Sequence, residues 1–202
     1  MRVTPWLAVA VCIGSLALPG CGSSKHVSRI SEDSTTDLSG HWNDTDSRLV
    51  SEEMIGDCLA RPWKTKHVQA RRHKPTVIVG LVRNKSTEQI AVGTFIGDIE
   101  RAFVNSGEVD VVANAIEREP VRAERDDQQM NSSDATMKQF GREQGADYMM
   151  GGVINTITDE EQGEKVVFYQ VDLNLIDLES NAKVWLGQKK IKKYIGHRKV
   201  SF

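Results

Sequence analysis

Cys21 is the side chain whose surroundings say most about chemistry. Met1-Arg2 supplies a cation, Trp6 to Leu18 is apolar apart from Gly14 and Ser15, and Leu18-Pro19-Gly20 runs straight into the thiol. A secretory signal needs that order: a charge to orient, an apolar stretch to engage the translocon, and small residues at the cut. The apolar run falls well short of the ~20 residues that span a bilayer, so a permanent transmembrane helix is not expected. Leu three residues before Cys, with a small residue directly preceding it, resembles a lipoprotein signal, although Pro19 stands where Ala or Ser is more usual. The pattern predicts cleavage before Cys21 and lipid on its sulfur. Gly22 follows rather than Asp, and among Gram-negative lipoproteins that favours the outer membrane. The expectation is a domain lipid-anchored to the periplasmic face of that membrane.

The other candidates for chemistry fall away on inspection. Of the three cysteines, only Cys21 and Cys58 survive removal of residues 1–20. With Cys21 acylated, Cys58 has no partner, and a disulfide framework is excluded. Cys58 sits in an apolar stripe and reads as a small core hydrophobe. Gly80-Leu81-Val82-Arg83-Asn84-Lys85-Ser86 ends in Lys-Ser after a strand, but it lacks the second glycine that lets a backbone wrap phosphates. The five histidines, His26, His41, His67, His73 and His197, show no metal-ligand spacing and read as surface residues. No Gly-x-Ser-x-Gly elbow occurs. The pairs Asp126-Asp127 and Glu160-Glu161 read as turn or surface charges rather than converging carboxylates. Neither catalysis nor a cofactor is expected. The net charge of −2, which becomes −3 on loss of Arg2 with the signal, gives no reason to expect a nucleic-acid partner.

Behind these residues the sequence lays out one α/β domain. Residues 22–36 are small and polar apart from Val27 and Ile30, and read as a tether. Cys21 to Thr36 reaches at most ~55 Å fully extended and averages ~22 Å as a coil. Asp44, Thr45 and Asp46 offer caps for a helix running to about Arg61, with Val50, Met54, Ile55, Cys58 and Leu59 on one side. Thr76 to Val82 reads as a buried strand. Val92 to Ser106 reads as a helix stopped by Gly107. Val109 to Ala113 is a short strand, and the charged stretch 115–131 a solvated helix or loop. A further helix is predicted from Ser132 or Ser133 past Met137 and Phe140 to Gly145. Tyr148 to Ile157 is strand-like and is followed by a turn at Glu160–Gly163. Val167, Tyr169, Val171, Leu173 and Leu175 then alternate with Phe168, Gln170, Asp172 and Asn174, as a strand with one buried face requires. Glu179-Ser180-Asn181 turns the chain into a last strand from Ala182 to about Ile191. This order predicts an α/β (α+β) fold: a mixed sheet flanked by helices, ending in an antiparallel meander.

Lys189, Lys190, Lys192, Lys193, Arg198 and Lys199 cluster near the C-terminus. They read first as a solvated strand whose charges discourage edge pairing, and secondly as contacts to an anionic surface.

Several phrases, taken in order, resemble the LpoB family of penicillin-binding protein activators. They are Pro75-Thr76-Val77-Ile78-Val79-Gly80 with Arg83-Asn84-Lys85-Ser86, and Phe95-Ile96-Gly97-Asp98-Ile99 through Asn105-Ser106-Gly107. Gln128-Gln129, Gly141-Arg142 and Gly145-Ala146-Asp147-Tyr148-Met149-Met150-Gly151 follow. Leu173-Asn174-Leu175-Ile176-Asp177-Leu178-Glu179, Trp185 and Lys190-Ile191-Lys192-Lys193 complete the set. The resemblance covers about residues 37–195. It implies a fold similar to the N-terminal domain of TolB and a lipoprotein that binds a small regulatory domain on a class A penicillin-binding protein, stimulating glycan polymerisation and crosslinking. Such an effector works by differential affinity for two states of the synthase. Family members can span the periplasm with a long disordered tether, and this tether is short.

The expected layout is a signal peptide at 1–20, lipidated Cys21 and tether at 21–36, a globular domain at 37–195, and a basic tail at 196–202. Arg83, Asn84 and Lys85 at a strand exit, with Asp172 and Asn174 on the wet face of the meander, are the expected partner contacts. The alternative is an envelope lipoprotein that uses the same module as an adaptor in another periplasmic complex.

Overall fold

The computed structural model describes residues 26–31, 34–139 and 141–196. Cys21, the signal segment, Phe140, and the tail carrying His197, Arg198 and Lys199 lie outside these residues. The chain divides into Met1–Glu32 and a compact unit, Asp33–Phe202. In the first, residues 26–31 are exposed and form no regular element.

Helix α1, Asp44–Ala60, opens with a capping box. Asn43 Oδ1 accepts from the Asp46 N–H at 3.1 Å, and the Asp46 carboxylate accepts from the Asn43 N–H at 3.0 Å. The cap is therefore Asn43, one residue before the three polar residues expected to supply it. Val50, Met54, Ile55 and Cys58 are buried along one stripe. Arg61 is extended, as the residue before Pro62 must be.

Pro62 does not end the helical region, however. A second helix, α2 (Trp63–Arg71), follows at once and closes on Arg72 at φ 61°. Periodicity missed it because its inner face rests on Trp63 and His67, and a histidine does not count as apolar.

Strand β1, Thr76–Asn84, leads through a loop to α3, Val92–Ser106. Phe95, Ile99 and Phe103 fill the inner face of α3, and Gly107 at φ 66° terminates it. Strand β2 is Asp110–Val112. The charged stretch is helix α4, Ala115–Asn131, capped by an Asn114–Glu117 box and burying no side chain. It holds despite Pro120 in its interior.

Among the described residues of the stretch 132–145 the expected helix does not form; they make a turn and then irregular backbone. Its polar groups are drawn elsewhere. Ser133 and Thr136 close a local turn, Gly141 adopts φ 69°, and Gln144 donates to Thr76 Oγ1 at 2.6 Å. Glu143 is captured by Arg122 and Arg125 of α4. Hydrogen bonds to side chains and turns have outcompeted the helical ladder.

Strands β3 (Tyr148–Glu161), β4 (Glu164–Asp177) and β5 (Lys183–Ile195) form the meander. The order is β2-β1-β3-β4-β5, with β1 parallel to β2 and β3 and the last two pairings antiparallel. Gln162 at φ 51° and Gly163 at φ 83° make the two-residue β3–β4 turn, whose twist suits a hairpin. The β4 alternation is realised: Val167, Tyr169, Val171, Leu173 and Leu175 are buried, and the residues between them are not.

Helices α1 and α3 pack against each other, α1 against β5 and α3 against β1. Three polar contacts run along the α1–β5 seam. Lys193 Nζ donates to Asp46 at 2.6 Å, Lys189 pairs with Glu53, and Trp185 Nε1 donates to Asp57 at 2.8 Å. Two of the lysines read as solvated charges thus tie a helix to the sheet. Lys193 also donates to Asp37 Oδ1 at 2.8 Å and to the His41 carbonyl at 3.0 Å, which uses its three N–H groups.

Candidate functional site

Because side chains alternate along a strand, the residues between the buried positions share the sheet face turned away from the core. Register sets them in rows. Arg83 lies opposite Val153, Val153 opposite Asp172, and Asp172 opposite Gln188. One row along, Gly151, Asn174 and Leu186 align. On the other side come Asn155, Gln170 and Lys190, then Ile157, Phe168 and Lys192. Leu81 is 70% exposed, Leu186 and Ile157 67% each, so apolar side chains on this face stand in solvent.

Asp172 is held at the centre. Its carboxylate accepts from Gln170 Nε2 and from Gln188 Nε2, each at 2.8 Å. Arg83 is exposed in the same row. Sequence reasoning placed Arg83 at a strand exit, whereas β1 continues through Asn84 and carries it onto the sheet. Lys85 is exposed, and its N–H donates to the Ile154 carbonyl at 2.8 Å. The Asn84 side chain turns inward on its own loop: Nδ2 donates to the Glu88 carbonyl at 2.7 Å, and Oδ1 accepts from the Ser86 N–H at 2.9 Å. Asn174 is half-buried between Gly151 and Leu186. The register therefore brings Arg83, Asp172 and Asn174 onto one face and leaves Asn84 to shape the turn beside it.

At the β1 end of this surface a groove of about 380 Å³ is lined by Ile78, Gly80, Leu81, Ile116 and Met149. Hydropathy alone hides this groove, since it is assembled from two strands, Ile96 of α3 and the first turn of α4.

A second cluster was not foreseen. His67 is buried, contrary to the expectation that the histidines lie at the surface. Its Nδ1 is 3.0 Å from the Tyr148 hydroxyl, and its Nε2 is 3.5 Å from His73 Nδ1 and 3.6 Å from Asp147 Oδ2. Burial pushes the His67 imidazole below its ordinary pKa, against the opposing charge of Asp147. The signal in sequence was the spacing Trp63–His67, one helical turn, which puts both rings on the face of α2 that meets Tyr148.

Among the described residues, no helix is long and apolar enough to cross a membrane.

The chain matches no curated protein sequence. Solved structures do resemble it. The C-terminal domain of LpoB from Escherichia coli is 14% identical, over 73% of this chain and 96% of that one, with a TM-score of 0.38. The corresponding Salmonella enterica domain is 15% identical over 65% and 94%, at 0.35. LpoB from Escherichia coli, solved by NMR, is 13% identical over 96% of each chain, at 0.40. The assignment rests on the family model described as "Peptidoglycan-synthase activator LpoB", which matches residues 46–191, from the first turn of α1 into β5. The chain belongs to the LpoB family of peptidoglycan-synthase activators.

Proposed function

We propose that this protein is a non-enzymatic activator of a class A penicillin-binding protein, carried by a lipid on Cys21 at the periplasmic face of the outer membrane. Its domain, residues 37–195, binds the synthase through the uncovered sheet face. The observation that carries this reading is the row Arg83–Val153–Asp172–Gln188. It presents a cation and a positioned carboxylate among exposed Leu81 and Leu186, the mixture of apolar anchors and oriented charge that a specific interface uses. A bound effector raises synthase activity only by holding the active conformation more tightly than the inactive one.

The test mixes the full chain in detergent with a purified class A synthase of the source organism and follows glycan polymerisation. Activation is expected, and the charge reversal Arg83→Glu/Asp172→Lys should weaken binding at least tenfold. No binding of the parent chain to any class A synthase sinks the activator reading. Unimpaired activation by the reversed variant sinks the choice of face.

A further inference from the structure

We propose that His67, His73 and Asp147 bind one zinc-class divalent cation. One ring nitrogen of each histidine and an Asp147 carboxylate oxygen lie within 4.8 Å of one another. The edges from His67 are 3.5 Å to His73 and 3.6 Å to Asp147. Both are long for hydrogen bonds. With metal–ligand bonds of roughly 2.0–2.2 Å, neighbouring donors in a tetrahedral site stand about 3.3–3.6 Å apart. The gap is too wide for the ring nitrogens to bond well to one another and about right for an ion between them.

The surroundings fit as well. The His67 side chain is 0% exposed, so its Nε2 is fixed in direction. Its other nitrogen, Nδ1, meets the Tyr148 hydroxyl at 3.0 Å, which leaves Nε2 as the ligating atom when Nδ1 carries the proton. Asp147 Oδ2 accepts from the Thr76 N–H at 2.8 Å, and Arg71 Nη1 lies 3.5 Å from Oδ1. Arg71 is itself drawn outward by Glu179, which leaves Oδ2 for the ion.

His73 is exposed and stands on the side from which an ion enters. Its Nδ1 also meets the Lys74 carbonyl at 2.9 Å. Ligation moves the ring proton from Nδ1 to the other nitrogen and exchanges that one contact for a metal bond. Two imidazoles and one carboxylate favour zinc over magnesium or calcium, which prefer all-oxygen sets. Three protein ligands leave the fourth position to water. The bound ion would join the middle of α2, the link to β1 and the residue before β3.

The test uses the full chain carrying Cys12→Ser and Cys21→Ser, stripped with chelator, with Zn²⁺ followed by calorimetry and Co²⁺ by visible absorption. One ion per chain and the intense spectrum of tetrahedral Co²⁺ are expected. His73→Ala and His73→Gln should each weaken binding at least tenfold while circular dichroism holds. Tyr148→Phe, which removes an orienting contact, should weaken it about tenfold. Absence of binding by the parent, a weak octahedral Co²⁺ spectrum, or affinity unchanged in both His73 variants overturns the site. The last outcome would place the ion elsewhere on the chain.

Discussion

The Tyr169 hydroxyl donates to the Glu88 carboxylate at 2.7 Å, across 81 residues of sequence. The same carboxylate accepts from the Trp42 N–H at 3.1 Å and meets His41 Nδ1 at 2.9 Å. Burial alone would raise the Glu88 pKa, but the donors from Tyr169, His41 and Trp42 outweigh it and hold the group ionised below its ordinary range. One acidic side chain in the β1–α3 loop thus pins the chain entering α1 to the middle of β4. Tyr169→Phe removes one bond to a charged acceptor and is expected to cost about 2 kcal/mol. Urea unfolding reads the total, and amide exchange at Trp42 shows whether the loss is local.

Glu143 fastens the irregular segment 132–147 to α4. Hydrogen bonds from Arg122 and Arg125 depress its carboxyl to about 2. A depressed acid contributes stability above its unfolded value, about 4.5, and loses that contribution as pH falls through the folded one. The segment should therefore stay attached at pH 5 and loosen between about pH 4 and pH 2. NMR titration of Glu143 should give a midpoint near the folded value in the parent. Arg122→Ala/Arg125→Ala should move it upward, and a midpoint unmoved by the double variant contradicts the assignment.

Cys58 is buried, and burial pushes its thiol up to about 12. The native chain therefore favours the thiol, and its contribution persists below the unfolded value of 9.0 and is lost as pH rises from there toward 12. In a chain carrying Cys12→Ser and Cys21→Ser, alkylation of Cys58 at pH 8 should proceed only at the rate of unfolding. Rapid labelling of the folded protein would disprove the burial argument.

Lys193 serves Asp46, Asp37 and the His41 carbonyl together. Burial lowers its pKa, but Asp37 and Asp46 raise it further and keep the amine charged. Lys193→Met strands Asp46, a carboxylate only 9% exposed, and should cost about 3 kcal/mol. Adding Asp46→Asn and Asp37→Asn removes the orphaned charges and should recover part of the loss, which a mutant cycle in thermal unfolding measures.

What could be read from sequence followed hydrophobic period. The limits of α3 and the inside–outside order of β4 came from apolar spacing and a single stop glycine. Reading failed where polar groups decide. The burial of His67 and the collapse of 132–145 depend on partners 81 and 68 residues away, which no local window contains. The Asn43 cap instead turns on Asp46 three residues on, a choice among four neighbouring polar side chains that hydrophobic period does not make. The uncovered face was half legible: alternation marked Asp172 and Asn174 as facing away from the core. Only the β1–β3 register, with its irregularity between Val79 and Val82, brings Arg83 level with Asp172.

The seam between α1 and β5 also dictates when the domain can finish folding. Asp46 and Glu53 are made 147 and 136 residues before the lysines that hold them, and Asp57 128 residues before Trp185. Until the last strand arrives, the first helix has α3 to pack against but no anchor on the sheet. Completion is therefore a late event, and loss of the final thirteen strand residues would undo the first element as surely as the last.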